Sequence, residues 1–67
     1  MFHIENLGKN IQFYRKKKGI TQKVLAAKCN LATGTIQQYE LRKRTPSILR
    51  LKIVAEVLEV EVDELLK

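Results

Sequence analysis

Residues 21–40 read TQKVLAAKCNLATGTIQQYE and contain two runs with apolar residues at helical spacing. Thr21 is a suitable N-cap, and apolar residues at helical spacing then predict a short helix over residues 22–29. Residues 30–32 interrupt the pattern, which resumes over residues 33–40. The stretch therefore predicts two short helices joined by a tight turn.

One further helix is expected before this pair. Leu7, Ile11 and Tyr14 recur at spacings of four and three, which places them on one face of a helix over about residues 6–18. Gly19 is a typical helix-ending residue. This helix therefore stops just before Thr21.

Two more helices are expected after the pair. Ser47 is a suitable cap for a helix over residues 47–58, and a last short helix is expected over about residues 62–66. The positions expected to face the core on the longer helix are Ile48, Leu51, Val54, Ala55 and Leu58. We therefore expect an all-α fold, a compact five-helix domain spanning residues 1–67, whose second and third helices form a helix-turn-helix.

The charge is distributed unevenly along the chain. Residues 1–50 hold 11 Lys and Arg and two Glu, a net charge of +9, whereas residues 51–67 hold two Lys and five Asp and Glu, a net charge of −3. A basic region of this size favours a polyanionic partner, and nucleic acid is the best candidate. The alternative is a charge that serves only solubility.

The composition argues against several functional classes. Cys29 is the only cysteine and His3 the only histidine, so neither a disulfide framework nor a structural zinc site can form within one chain. We expect no metal, no cofactor and no enzyme, because no catalytic triad or carboxylate pair stands out. Met1 to Ile4 lead into a polar stretch, and no apolar run reaches the length of about 20 residues that spans a bilayer. We therefore expect a soluble, cytoplasmic protein with no membrane partner.

The sequence resembles the helix-turn-helix DNA-binding domain of the Cro and phage-repressor type, the XRE-like family. The resemblance runs from about Leu7 to Leu66 and depends on the whole ordered set of residues, since any single pair is common. The matching residues are Thr21-Gln22, Leu25-Ala26, Leu31, Thr35-Ile36, Tyr39-Glu40, Lys43, Pro46-Ser47, Leu51, Ala55, Leu58, Val60 and Asp63-Glu64-Leu65-Leu66. It implies a sequence-specific regulator of transcription, a repressor that binds a two-fold operator in double-stranded DNA as a homodimer. Its third helix would enter the major groove while its second helix lies across the DNA backbone.

Sorting the faces of the third helix gives the candidate base-reading residues. Ile36 and Tyr39 are expected to point to the core, which leaves an outward face made of Thr33, Gly34, Gln37 and Gln38. A Gln side chain pairs bidentately with adenine, and a Thr methyl group contacts the methyl group of thymine. Gln37 and Gln38 are the first candidates, and Gly34 would let the backbone approach DNA. The alternative is a merely solvated polar face.

Contacts to phosphate are expected from residues around this helix. The resemblance places Gln22, at the start of the second helix, against a phosphate, and Thr35 would add a hydroxyl group. The basic residues of the following loop would bind the other strand, and they are Arg42, Lys43 and Arg44. Lys16 to Lys18 either complement the helix dipole or steer the encounter with DNA.

Arg15 and Glu40 resemble a pair that, in some members of the family, joins the first helix to the end of the recognition helix. Such a link would orient the recognition helix and keep Glu40 from repelling phosphate. An exposed pair contributes only about 0–1 kcal/mol, so positioning would matter more than stability. The alternative is two unrelated surface charges.

An apolar stripe is expected on the outer side of the fourth helix. Leu49, Ile53 and Val57 recur every four residues, on the side opposite the core positions. We expect this stripe to form the homodimer interface. One alternative is packing against Phe2, Ile4 or Phe13, and another is an antitoxin-like module that binds a partner protein through the stripe. RNA binding is disfavoured because the aromatic residues are few and Tyr14 and Tyr39 are internal.

Overall fold

The computed structural model describes residues 2–67, so Met1, which the predicted single domain includes, lies outside the described residues. Five α-helices follow a 3-10 turn at Ile4–Asn6, and no strand occurs among the described residues. The helices are α1 (Leu7–Lys18), α2 (Gln22–Cys29), α3 (Thr33–Glu40), α4 (Ile48–Leu58) and α5 (Val62–Leu65). The prediction of an all-α, five-helix fold is confirmed. Across the same residues, no helix is both long and apolar enough to cross a membrane.

Hydroxyl side chains cap the start of two helices. The Oγ1 atom of Thr21 accepts a hydrogen bond from the backbone N–H of Val24 at 3.1 Å, at the start of α2. The Oγ atom of Ser47 accepts one from the N–H of Arg50 at 3.3 Å, at the start of α4. These bonds satisfy N–H groups that have no partner inside the helix, so local chemistry sets where both helices begin.

The four longer helices all end in the same way. The residue directly after α1, α2 and α4 has a left-handed backbone, and in α3 this residue is Arg42, one position later, after a right-handed Leu41. The N–H of the left-handed residue and the next N–H bond back to carbonyl groups of the last turn. The left-handed residues are Gly19 (φ 77°), Asn30 (57°), Arg42 (61°) and Glu59 (60°). Only glycine adopts this backbone without a steric penalty. Arg42 and Glu59 are therefore held there by surrounding contacts, and the Glu59 carboxylate pairs with Lys18.

The core lies between all five helices. Ile11, Leu25, Ile36, Val54 and Leu65 have no solvent exposure and come from α1 to α5 respectively. The expectation that Ile48 faces this core is wrong, because its side chain is 72% exposed. It is the first residue of α4 and lies one turn before Leu51, the first buried position of that helix.

Helix α1 approaches the end of α3 unusually closely, at Gly8. A Cβ atom added at Gly8 would lie 2.3 Å from the carbonyl oxygen of Tyr39 and 3.1 Å from that of Glu40. No real Cβ atom tolerates the shorter distance, so a hydrogen atom is the only side chain that fits. The absence of a side chain at Gly8 therefore sets the distance between α1 and the end of α3.

Asn6, just before α1, and two side chains on the following turns of α1 hold the C-terminal turn of the described chain. The Nδ2 atom of Asn6 donates to the carbonyl oxygen of Lys67 at 3.1 Å, and that of Asn10 donates to the carbonyl of Leu65 at 2.9 Å. One turn later, the hydroxyl of Tyr14 donates to the Glu64 carboxylate at 3.1 Å, which raises the pKa of Tyr14. We call these three residues the α1 clamp. Asn6 and Asn10 satisfy carbonyl groups at and beyond the end of α5, which a short helix leaves without partners.

Candidate nucleic-acid interface

The outward face of α3 is polar and open to solvent. Ile36 and Tyr39 are 0% and 2% exposed and anchor the opposite face in the core. The four predicted base-reading residues therefore share one exposed surface, which is formed by Thr33, Gly34, Gln37 and Gln38. A Cβ atom at Gly34 would meet nothing within 4 Å, so the backbone of α3 is accessible there.

Arg15 and Glu40 form a bidentate ion pair. The Nε atom of Arg15 lies 2.6 Å from Oε2 of Glu40, and its Nη2 donates to Oε1 at 3.0 Å. Arg15 also donates from Nη1 to the carbonyl oxygen of Ile20 at 2.9 Å. The two charged side chains are only 10% and 2% exposed, so the pair is buried rather than exposed as the sequence analysis assumed. Removing one partner of such a pair typically costs about 3–5 kcal/mol, because the other charge is left buried and unpaired.

Gln22 is the third member of this polar cluster. Its Nε2 atom donates a hydrogen bond to Oε1 of Glu40 at 3.0 Å, and its side chain is half-buried. The amide retains a second N–H and a carbonyl oxygen that can face a ligand. The cluster thus ties together the last turn of α1, the first residue of α2 and the last residue of α3. The sequence predicts a phosphate contact for Gln22 but carries no signal for its bond to Glu40.

The loop after α3 presents three basic residues, Arg42, Lys43 and Arg44, which differ in their contacts with the rest of the domain. All three are exposed, and the backbone of Arg42 is left-handed. The Cγ atom of Arg42 lies 3.1 Å from the ideal Cβ position of Gly8, and its Nη1 lies 3.5 Å from the carbonyl oxygen of Glu5. Arg42 therefore reaches back over the start of α1. Lys43 and Arg44 form no ion pair with any residue from 2 to 67.

Two residues near α3 differ from what the sequence predicts for them. Thr35, expected to offer a hydroxyl group to phosphate, is half-buried beside the exposed face of α3. Gly8, which the sequence analysis did not single out, sets the approach of α1 to the end of α3. A single glycine inside an otherwise helical pattern was the available signal, because it costs helix stability unless packing requires it.

The apolar stripe of α4 is shorter than expected. Leu49 is 69% exposed and Ile53 is 37% exposed, but Val57 is half-buried and packs against the core. The exposed Ile48 extends the apolar surface at its other end. We call the surface of Ile48, Leu49 and Ile53 the α4 patch. The alternative in which Phe2, Ile4 or Phe13 covers the stripe is wrong for the described residues, since Leu49 remains open to solvent.

Comparison with known proteins decides the family. A family model described as Helix-turn-helix matches residues 11–65. The chain belongs to this helix-turn-helix family. The match includes α2, α3 and the loop after α3. These elements carry the candidate interface of the helix-turn-helix domain. No curated protein matches the chain.

Solved structures place the helix-turn-helix domain among regulators of the phage-repressor type, as the sequence predicted. The restriction-modification controller protein C.AhdI from Aeromonas hydrophila is 27% identical, with a TM-score of 0.86, over 90% of this chain and 91% of that one. The P22 c2 repressor in complex with a synthetic operator is 30% identical, with a TM-score of 0.86, over 91% and 92% of the two chains.

A third neighbour is SinR, the master regulator for biofilm formation, whose DNA-binding domain comes from Bacillus subtilis. Its complex with DNA is 37% identical to this chain, with a TM-score of 0.83, over 88% of this chain and 95% of that one. The family and these structures support a DNA-binding transcriptional regulator, and none of the three is described as an enzyme.

Proposed function

We propose that this domain represses transcription by binding, as a homodimer, to a two-fold operator in double-stranded DNA. The observation that carries the proposal is the exposed polar face of α3, bordered by the exposed basic residues Lys43 and Arg44. The structural neighbours support it, since SinR was solved with DNA and the P22 c2 repressor with a synthetic operator.

Base recognition is assigned to the outward face of α3. Gln37 and Gln38 offer amide groups that pair with adenine in the major groove, where a bidentate contact discriminates by about 1–3 kcal/mol. Thr33 offers a methyl group to thymine. Gly34 keeps the start of the helix narrow, which lets the backbone come close to the base edges.

Phosphate binding is assigned to both sides of α3. Lys43 and Arg44 would bind the backbone of one strand, and the first N–H groups of α2 with the remaining amide N–H of Gln22 would bind the other. Thr35 is half-buried beside the exposed face of α3 and would add its hydroxyl group. Arg42 adds positive charge, while its contacts with α1 order the loop that carries its two neighbours.

The buried cluster keeps the interface electrostatically suited to DNA. Glu40 ends the recognition helix, where an unpaired carboxylate would repel phosphate. Arg15 neutralises Glu40 through two hydrogen bonds, and Gln22 binds it through a third. The same bonds fix the end of α3 relative to α1 and α2. We assign Arg15 and Glu40 the role of orienting pair on these grounds.

The α4 patch is assigned to the dimer interface. Three large aliphatic side chains lie open to solvent on one end of a single helix, which favours a protein contact over isolated surface residues. Lys52 and Glu56 are exposed beside them, so two antiparallel copies of α4 can place opposite charges together. A two-fold dimer of this class reads half-sites about 34–36 Å apart.

Selection of duplexes from a random DNA pool tests the proposal. At about 150 mM salt non-specific backbone binding is suppressed, so enrichment reports base recognition. An enriched inverted repeat with half-sites about one helical turn apart is the expected result. Failure to enrich any sequence would refute sequence-specific DNA recognition by this domain.

Two variants separate base contacts from phosphate contacts. Gln38→Ala should cost about 1–3 kcal/mol on the selected site and relax one base position. Arg44→Ala should weaken binding to all duplexes alike and reduce the salt slope by about 0.9. Equal behaviour of the two variants on cognate and random duplexes would contradict the assignment.

A second candidate function is supported by the same α4 patch. Leu49 and Ile48 are 69% and 72% exposed, which also suits capture of a partner protein by an antitoxin-like module. Sedimentation velocity distinguishes the two. A dimer that Leu49→Lys dissociates supports the homodimer, whereas a protein that stays monomeric at high concentration supports the partner-binding module.

A further inference from the structure

An aromatic side chain lies exposed among lysines on the outer side of α1. The Phe13 ring is 56% exposed and meets Tyr14 only edge-on, with the ring centroids 5.0 Å apart at 85°. The residues that line a shallow depression around it are Lys9, Gln12, Phe13, Lys16 and Lys17, which we call the Phe13 face. This surface therefore combines one large apolar group with three cations.

The three lysines of the Phe13 face have no carboxylate partner among residues 2–67, where the ion pairs of α1 are made by Arg15 and Lys18. Lys17 places its Nζ atom 6.0 Å from the Phe13 ring centroid. Attraction to the helix dipole accounts for cations in the last turn only, and Lys9 lies well before it. The helix dipole therefore accounts for Lys16 and Lys17 but not for Lys9.

Phe13 points away from the side of α1 that contacts α3. Gly8 and Arg15 are the positions through which α1 contacts α3. At about 100° per residue, Phe13 lies about 140° from Gly8 and about 160° from Arg15 around the helix axis. The remaining side of α1 carries Asn10 and Tyr14, which bind the C-terminal turn. The side of α1 that carries Phe13 is thus distinct from the sides that contact α3 and the C-terminal turn.

We propose that the Phe13 face is a docking site for an acidic helical segment of a partner protein, and that it remains accessible while the domain is bound to DNA. Lys9 and Lys16 are seven residues apart, which spaces them by about 10 Å along α1. Carboxylates two turns apart on a partner helix match this spacing, and an aromatic or aliphatic side chain between them covers Phe13. Two copies of the chain cannot pair through this face, because each would oppose its own three lysines to those of the other.

Selection from a display library of 16-residue helical peptides tests the proposal. The intact domain without DNA is the target, so the outcome does not depend on the operator or on the proposed repression. Enriched peptides should carry acidic residues seven apart with an apolar residue between them. Phe13→Ser and Lys16→Glu should each weaken their binding at least tenfold.

Two controls make the result specific. Lys28→Glu reverses an exposed charge on α2 and should weaken peptide binding less than threefold. Phe13→Ser should leave the far-ultraviolet circular dichroism spectrum and the affinity for duplex DNA unchanged, because the side chain is exposed and faces away from α3. An enriched peptide should also bind the complex of the domain with duplex DNA as tightly as the domain alone.

Three results would overturn the proposal. The first is a selection that enriches no acidic peptide. The second is a set of acidic peptides that Lys28→Glu weakens as much as Lys16→Glu does, which indicates general attraction to a basic protein. The third is displacement of the peptide by duplex DNA or by a single-stranded oligonucleotide, which would assign the Phe13 face to nucleic acid.

Discussion

Replacing Gly8 by alanine tests the close approach of α1 to the recognition helix. The added Cβ atom would lie 2.3 Å from the carbonyl oxygen of Tyr39, whereas ordinary contact begins at 3.4 Å, so the two elements must move apart by about 1 Å. The obstacle is backbone and cannot rotate away as a side chain can. Overpacking of this kind costs about 1–3 kcal/mol, and we expect the upper end of that range.

The helix itself gains from the same substitution. Alanine is favoured over glycine in a helix by about 0.5–1 kcal/mol, which leaves a net loss of about 2 kcal/mol for Gly8→Ala. Gly34→Ala is the matched control, because Gly34 is likewise the second residue of its helix but has nothing within 4 Å of the added atom. Gly34→Ala should therefore raise stability by up to about 1 kcal/mol.

Urea unfolding followed by circular dichroism at 222 nm measures both changes. A domain of this length is stable by roughly 3–10 kcal/mol, so a difference of about 3 kcal/mol between the two variants is readily resolved. If Gly8→Ala proved as stable as Gly34→Ala, the approach of α1 to the end of α3 would have to be looser than described.

Three further predictions concern single interactions. Thr21→Ala should lower the free energy of unfolding by about 1 kcal/mol in urea titrations, because it removes the cap of α2; an unchanged midpoint would mean that the cap is not needed. Arg15→Met should lower it by about 3–5 kcal/mol and Arg15→Met/Glu40→Leu should restore most of the loss; a double variant as unstable as the single one would argue against a buried unpaired charge. Hydrogen bonding to Lys18 lowers the pKa of Glu59, so Lys18→Met should return it towards 4.5 in a titration followed by NMR. Since the pKa is lowered in the folded state, this stabilisation is present above pH 4.5 and is lost as the pH falls through the folded-state pKa, and acid should cost the wild type more stability than the variant.

The helices could be predicted from the sequence because their signals are local. Thr21 and Ser47 accept hydrogen bonds from residues three positions later, and Gly19 adopts the left-handed backbone that ends α1. Each signal lies within one turn of the boundary that it sets. The outward face of α3 was equally predictable, since Ile36 and Tyr39 alone define which side is buried.

The remaining details depend on contacts between distant residues. Gln22 and Glu40 are 18 positions apart, so their hydrogen bond follows from how α2 and α3 cross and not from either helix alone. The burial of Arg15 likewise requires α1 and α3 to be in place. Val57 and Ile48 were misjudged because helical periodicity gives the angle around an axis but not which parts of the helix its neighbours cover.

The α1 clamp has a consequence for the order in which the domain folds. Its three hydrogen bonds join residues 61, 55 and 50 positions apart, whereas α2 and α3 are neighbours along the chain. Closing a longer loop costs more chain entropy, so contacts between adjacent helices form at lower cost than contacts between distant ones. Docking of α5 on α1 is therefore expected late in folding, with its amide hydrogens exchanging faster than those of α2. The elements assigned to DNA would then be assembled before the two ends of the described chain meet.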